Sequence, residues 1–126
     1  MANEINVSSK VAFTKGFYSH SRSLSFNATL AGDHVSDFVQ DIGTSTHELI
    51  VIPAEIATAG ISFFQSMSTS TATATYVQIG LDNAGTFAPF TNLLAGEGYP
   101  TRLAGVAVYA KAANEVVRLR CTIGEK

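Results

Sequence analysis

The stretch VVRLRCTI at residues 116–123 decides the fold class of this chain. Its apolar side chains occupy positions 117, 119, 121 and 123, and polar side chains occupy positions 118, 120 and 122. Because successive side chains of a strand point to opposite faces, this alternation predicts a strand with one buried face. The segment SLSFNATL at 23–30 alternates in the same way, and no sustained helical stripe occurs, so an all-β fold is predicted.

Turn residues divide the rest of the chain into short segments. Gly16, Gly43 and Gly60, together with clusters at 31–33, 82–85, 95–98 and 113–115, predict turns. Nine candidate strands remain between them, at 4–14, 22–31, 35–41, 47–52, 61–68, 75–81, 86–90, 103–111 and 116–123. About nine strands at this spacing predict one β-sandwich domain over residues 1–126, jelly-roll-like and with little helix.

Four segments carry more local predictions. The last two candidate strands are expected to form a hairpin around 113–115. The segment 53–59 makes at most one or two helical turns after its proline. Residues 69–75 are expected in an exposed loop or at a strand margin, and residues 1–14 are a candidate arm that a neighbouring subunit orders.

The composition favours a protein whose surface is covered by neighbours. Charged residues make up 14% of the 126 residues, against about 25% in a typical globular protein. Such a surface can be covered by another subunit with little desolvation of charge. The net charge of -2 predicts no binding to nucleic acid through a basic field.

Membrane and export signals are also absent from the sequence. The sequence contains no run of about 18 apolar residues, so it predicts no transmembrane helix. Residues 1–10 lack the apolar region of a secretory signal. The single Cys121 excludes an internal disulfide and a multi-cysteine zinc site. We therefore expect folding in a cell interior, or in a particle built there.

The residue patterns of known catalytic and cofactor sites are missing. The sequence contains no Gly-x-Ser-x-Gly elbow, no Gly-x-Gly-x-x-Gly motif and no phosphate-loop lysine motif. His20, His34 and His47 lie in three separate segments, and a metal centre would need the fold to bring them together. The sequence thus predicts no enzyme activity, no cofactor and no metal.

The acidic residues and the cysteine have structural explanations. The densest acidic patch contains Asp33, Asp37 and Asp41 beside His34, without the glycine and glutamate of an EF-hand loop. Carboxylates at these spacings could bind a hard cation such as calcium, but a solvated turn and strand margin is the preferred interpretation. An enzyme would need one of these carboxylates to converge with His20, His34 or His47. Residues 82–85 are expected in a hairpin turn. Cys121 occupies an apolar position and is predicted to be buried and unreactive.

Aromatic residues are the candidate interface. Adjacent aromatics on a strand point to opposite faces, so one ring of each adjacent pair is expected outside the core of the domain. Burial of both rings in a sandwich corner is the alternative. The candidate interface residues are Phe17, Tyr18, Phe63, Phe64, Phe87, Phe90 and Tyr109.

Four short motifs resemble those of a known group of proteins. HELIVIP at 47–53, YVQIGLD at 76–82, LAGE at 94–97 and VYAKA at 108–112 occur in this order. In this respect the chain resembles small virion structural proteins of tailed bacteriophages. Residues 1–46 contribute little to the resemblance, and the motifs carry no catalytic chemistry.

The resemblance implies a capsid decoration, or cement, protein. Such a protein would bind the lattice of the major capsid protein on the outer capsid surface and stabilise the head. It would be a homo-oligomer, with a trimer expected, assembled in the host cytoplasm, with no nucleic acid or membrane partner. A tail or head–tail connector component is one alternative. The other is a receptor- or carbohydrate-binding module with a platform around Tyr76, Tyr99 and Tyr109.

Overall fold

A computed structural model describes residues 4–30, 32 and 34–126, and in these ranges every regular element is a strand. The all-β prediction is confirmed. Within the same ranges, nothing helical is long and apolar enough to cross a membrane. Ala31 and Asp33, from the predicted turn at 31–33, lie outside the described residues. The described residues form ten strands: β1 (Ile5–Lys15), β2 (Tyr18–Ala28), β3 (Val35–Ile42), β4 (Glu48–Leu49), β5 (Ala59–Ser66), β6 (Tyr76–Asn83), β7 (Thr86–Leu93), β8 (Gly98–Arg102), β9 (Tyr109–Ala113) and β10 (Val117–Glu125).

The chain forms two compact units, residues 1–31 and residues 32–126. We call them the hairpin unit and the body, and we describe each by itself. The prediction of one domain over 1–126 stays a prediction.

The hairpin unit consists of two long antiparallel strands. β1 pairs with β2 from Ile5 opposite Ala28 to Lys15 opposite Tyr18. The two-residue loop begins with Gly16, whose φ is +59°, and a glycine with positive φ is what a loop of this length requires at that place. The predicted turn at Gly16 is confirmed, and the candidate arm at 1–14 contributes most of β1.

The described strands of the body form two four-stranded sheets. One sheet has the order β3-β10-β5-β8 and the other the order β4-β9-β6-β7, with every pair antiparallel. The pairing is nested. The first body strand pairs with the last, β3 with β10, and inside this pair follow β4 with β9, β5 with β8 and β6 with β7. The two sheets agree with the predicted sandwich, and the jelly-roll assignment stays a prediction at this point.

The core of the body lies between the inner faces of the two sheets. In β10 the side chains at 117, 119, 121 and 123 are fully buried, whereas Arg118 and Arg120 are exposed. The buried cluster joins this row to Phe64 of β5 in the same sheet and to Ile79 of β6 in the other sheet. The alternation in VVRLRCTI therefore corresponds to a half-buried central strand, as predicted.

Two predictions near the C-terminus are wrong. The last two strands do not pair with each other, because β9 pairs with β4 and β6 while β10 pairs with β3 and β5. The turn at 113–115 instead crosses from one sheet to the other. The candidate strand at 103–111 is wrong over 103–108 and overlaps β9 only at 109–111, while β8 at 98–102 was not predicted. Leu103 and Val108 are buried from a loop, which explains why their apolar pattern resembled a strand.

The segments between the strands are closer to what the sequence predicted. Residues 53–59 contain one turn, closed by the Ile56 N–H that donates to the Pro53 carbonyl at 3.0 Å. Residues 69–75 form a loop that is mostly exposed, except for the buried Thr75. The candidate strand at 47–52 is reduced to the two residues of β4.

A bulge interrupts the β6–β7 pair. Ile79 lies opposite Thr91 and Gly80 opposite Pro89, so Phe90 is the extra residue and has no cross-strand partner. A Cβ atom on Gly80 would lie 2.5 Å from Pro89 Cα and closer still to the Ala88 carbonyl oxygen. Both obstacles are backbone atoms, so only glycine fits beside the bulge.

Replacing Gly80 with alanine should lower the free energy of unfolding by about 1–3 kcal/mol, because the backbone of β7 must shift. Gly43→Ala is the control, since a Cβ there meets only the end of the Glu48 side chain, at 3.1 Å. Urea denaturation measures both changes. Equal destabilisation of the two variants would contradict the role assigned to Gly80.

Candidate functional site

The two faces of the hairpin unit have opposite character. Directly opposite residues of an antiparallel pair share a face, so odd positions of β1 lie beside even positions of β2. The other face carries Ser, Asn and Thr almost throughout, and Asn6 Nδ2 donates to Asn27 Oδ1 there at 2.7 Å. We call the first face the hairpin face, and its apolar members are Ile5, Val7, Val11, Phe13, Tyr18, Leu24, Phe26 and Ala28.

Much of the hairpin face is open. Phe13 is 57% exposed and Leu24 is 56% exposed, and with Val11 they line an open cavity of about 350 Å³. A two-stranded sheet is marginally stable by itself and normally needs another layer on its apolar face. Contiguous uncovered apolar side chains mark a contact site. The hairpin face is therefore the candidate functional site.

The sequence only partly predicted this surface. The alternation at 23–30 indicated a half-buried strand, yet Leu24 and Phe26 of that strand are exposed. The missing information was the register, which sets Phe26 opposite Val7 and Leu24 opposite Ser9 on one face. Serine at nearly every odd position of β2 was the available signal for a polar opposite face.

Four of the candidate interface aromatics divide into exposed and buried groups. Phe17 and Tyr18 are exposed at the closed end of the hairpin. Phe63 is 42% exposed on the outer face of its sheet, where its ring covers Gly98 of the neighbouring strand. Phe64 is fully buried in the body core, so it is not an interface residue. The two adjacent phenylalanines thus point to opposite faces, as strand geometry predicted.

Phe87 and Tyr109 belong to a cluster with His47 and Asp82 that the sequence did not predict. The His47 ring stacks on Phe87 at a centroid distance of 5.2 Å and meets the edge of Tyr109 at 5.5 Å. His47 Nε2 also lies 2.6 Å from Asp82 Oδ1. These contacts join the segment before β4 to β6, β7 and β9, so both aromatics stabilise this sheet. Because His47 and Asp82 are 35 residues apart, no local pattern could pair them.

Phe90 and the three tyrosines of the predicted platform are spread over the body. Phe90 is exposed, and its ring centroid lies 5.9 Å from that of Tyr99. Tyr99 is partly buried against the core from β8, whereas Tyr76 and Tyr109 lie on β6 and β9 of the other sheet. The tyrosines therefore do not share one exposed surface.

Each histidine has its own local partners. His47 is held by Asp82, and His34 Nδ1 lies 3.5 Å from Glu125 Oε1. His20 lies opposite Phe13 on the hairpin face. In the described part of the chain, no group of three or more His, Cys, Asp or Glu side chains is placed to hold a metal ion.

Two carboxylates of the predicted acidic patch form ion pairs across β3 and β10, and Asp33 lies outside the described residues. Arg120 donates to both oxygens of Asp37, at 3.0 and 2.6 Å, and Arg118 Nε donates to Asp41 at 3.2 Å. The hydrogen bonds from Arg120 hold the pKa of Asp37 below its ordinary value. This is a solvated strand margin, as the sequence suggested.

Comparison of the chain with family models, curated proteins and solved structures finds no match. The resemblance to virion proteins therefore stays a prediction based on four motifs. Three of these motifs overlap β4, β6 and β9, which are adjacent in one sheet, and LAGE lies in the turn between β7 and β8.

Phe64→Ser should lower the free energy of unfolding by about 4 kcal/mol or more, because it empties part of the core and buries a hydroxyl. Phe63→Ser, the neighbouring control, should cost about 1 kcal/mol or less because this ring is partly solvated already. Urea denaturation compares the two. Similar losses would show that the assigned faces are wrong.

Cys121 should be inert in the folded chain. The side chain is fully buried, and burial, with a smaller effect of Asp37, raises the pKa of its thiol to about 12. At pH 8 the folded chain should therefore show no reaction with a disulfide reagent, and one thiol should react after unfolding in guanidinium. Rapid reaction under native conditions would contradict this placement.

Proposed function

We propose that this chain is a virion structural protein, and specifically a capsid decoration protein that binds the major capsid protein lattice and stabilises the head. The observation that carries the proposal is the uncovered apolar face of the hairpin unit. This surface suits contact with another macromolecule, because covering it supplies the layer that a two-stranded sheet lacks.

The hairpin face can support a stable contact. Burying one large apolar side chain contributes roughly 1.5–3 kcal/mol, and Val11, Phe13, Leu24 and Phe26 are all at least 40% exposed. The surface elsewhere is weakly charged, with 14% charged residues in the whole chain. A neighbour can cover such a surface with little loss of charge hydration.

The body contributes a second argument through its topology. We assign it as a jelly roll, because its eight described strands pair in nested antiparallel order across two sheets. Jelly rolls are double-sheet folds found in viral capsid domains, among other proteins. A fold does not determine a function by itself, so this argument supports the proposal only together with the hairpin face and the sequence motifs.

The proposal includes an oligomeric state and a location. A closed homo-oligomer, with a trimer expected, would present several copies of the body to the capsid lattice. Assembly would occur in the host cytoplasm, and the mature location would be the outer surface of the head. No catalytic step is assigned to any residue.

Particles purified from the source should contain this chain in a fixed ratio to the major capsid protein, measured by quantitative mass spectrometry. Cryo-electron microscopy should then place its density on the outer surface of the head. Absence of the chain from purified particles would overturn the virion assignment. Density on the tail alone would overturn the decoration assignment.

A further inference from the structure

We propose that the hairpin face of one copy binds the outward face of β3 in the body of a second copy. The inference rests on the assembly function proposed above and names the contact between copies. It is carried by three observations: opposite charges on the two units, cations placed on the hairpin face, and a matching surface on an edge strand.

The two units carry opposite net charge. The hairpin unit contains three Lys or Arg residues and one Glu, which gives a net charge of +2. The body contains five Lys or Arg residues and nine Asp or Glu residues, which gives -4. Two hairpin units would therefore repel each other, whereas a hairpin unit and a body attract.

Two of the three cations of the hairpin unit lie where a contact would form. Arg22 and Lys15 are on the hairpin face, in register with Val11 and Tyr18, and no carboxylate occurs between residues 5 and 30. Arg22 lines the same open cavity as Phe13. The half of the hairpin face nearest its closed end is therefore both apolar and basic.

The outward face of β3 carries exposed valines that can cover part of the hairpin face. β3 is an edge strand, and its exposed side chains alternate between valine and aspartate as Val35, Asp37, Val39 and Asp41. Val35 and Val39 are each more than half exposed. Asp41 remains 61% exposed while its Oδ1 accepts from Arg118. Asp37 is 44% exposed and accepts from Arg120 of β10. The outward face of β3 therefore offers two exposed valines beside carboxylates that already pair with arginines. The valines can meet the apolar row of a neighbouring hairpin, and the carboxylate of Asp41 is exposed enough to accept from a second cation.

The first test uses the full-length chain in sedimentation velocity. The wild-type chain should associate at micromolar concentrations, and Phe13→Ser and Val39→Ser should each weaken association at least about tenfold, because each removes an exposed apolar side chain from one side of the contact. Ala12→Ser, on the opposite face beside Phe13, should leave association unchanged. A wild-type chain that stays monomeric at about 100 μM would overturn the inference.

The decisive test is complementation between the two weakened variants. The Phe13→Ser copy retains an intact β3, and the Val39→Ser copy retains an intact hairpin face. At a concentration where neither variant alone associates measurably, a mixture of the two, with one copy tagged, should therefore form a heterodimer. No heterodimer would overturn the contact between hairpin and body, as would a Phe13→Ser variant that still associates fully with itself.

Charge-reversal variants distinguish a local contact of the Arg22 side chain from a general effect of net charge on association. Arg22→Glu and Lys10→Glu change the net charge equally but lie on opposite faces of the hairpin. Arg22→Glu should weaken association much more than Lys10→Glu, and NaCl should weaken the wild-type association by screening. Equal effects of the two reversals would count against the proposed contact.

Two further results would show that the hairpin face binds something other than a second copy, or that the chain is not part of a virion. Flotation of a monomeric chain with anionic vesicles would assign the hairpin face to a lipid surface and overturn the inference. Failure to find the chain in purified particles would overturn the virion proposal but not the mass and complementation results. The two proposals therefore fail in distinguishable ways.

Discussion

The body depends on the burial of one face of β10. The side chains at 117, 119, 121 and 123 all lie in the core, so this strand must sit against the opposite sheet. Both edges of β10 are then occupied, by β3 on one side and β5 on the other. The last strand pairs with the first strand of the body, and the strands between them also pair in nested order.

The hairpin unit has the same alternating pattern in a sheet of only two strands. β1 and β2 place their apolar residues on one face, and two strands alone cannot enclose that face. Phe13 and Leu24 consequently remain more than half exposed. We propose that another molecule covers the hairpin face, and assembly is the proposed function for this reason.

Particular residues show how far the sequence predicts the site. Phe63 and Phe64 were expected on opposite faces, but strand geometry alone could not decide which ring faces the core. His47 and Asp82 meet through contacts between distant segments, which no local motif records. The segment 103–108 contains buried apolar residues in a loop, and its pattern therefore resembled a strand.

The sequence by itself determined the all-β class, the alternation of β10 and the turn at Gly16, because these depend on side-chain direction and local backbone preference. Only the tertiary structure decided which strands are neighbours. The register of the hairpin sets Val7 beside Phe26, and pairing between distant strands places β9 and β10 in different sheets of the body. The same alternating pattern is buried at Leu119 and exposed at Leu24, because burial depends on the layer packed against it.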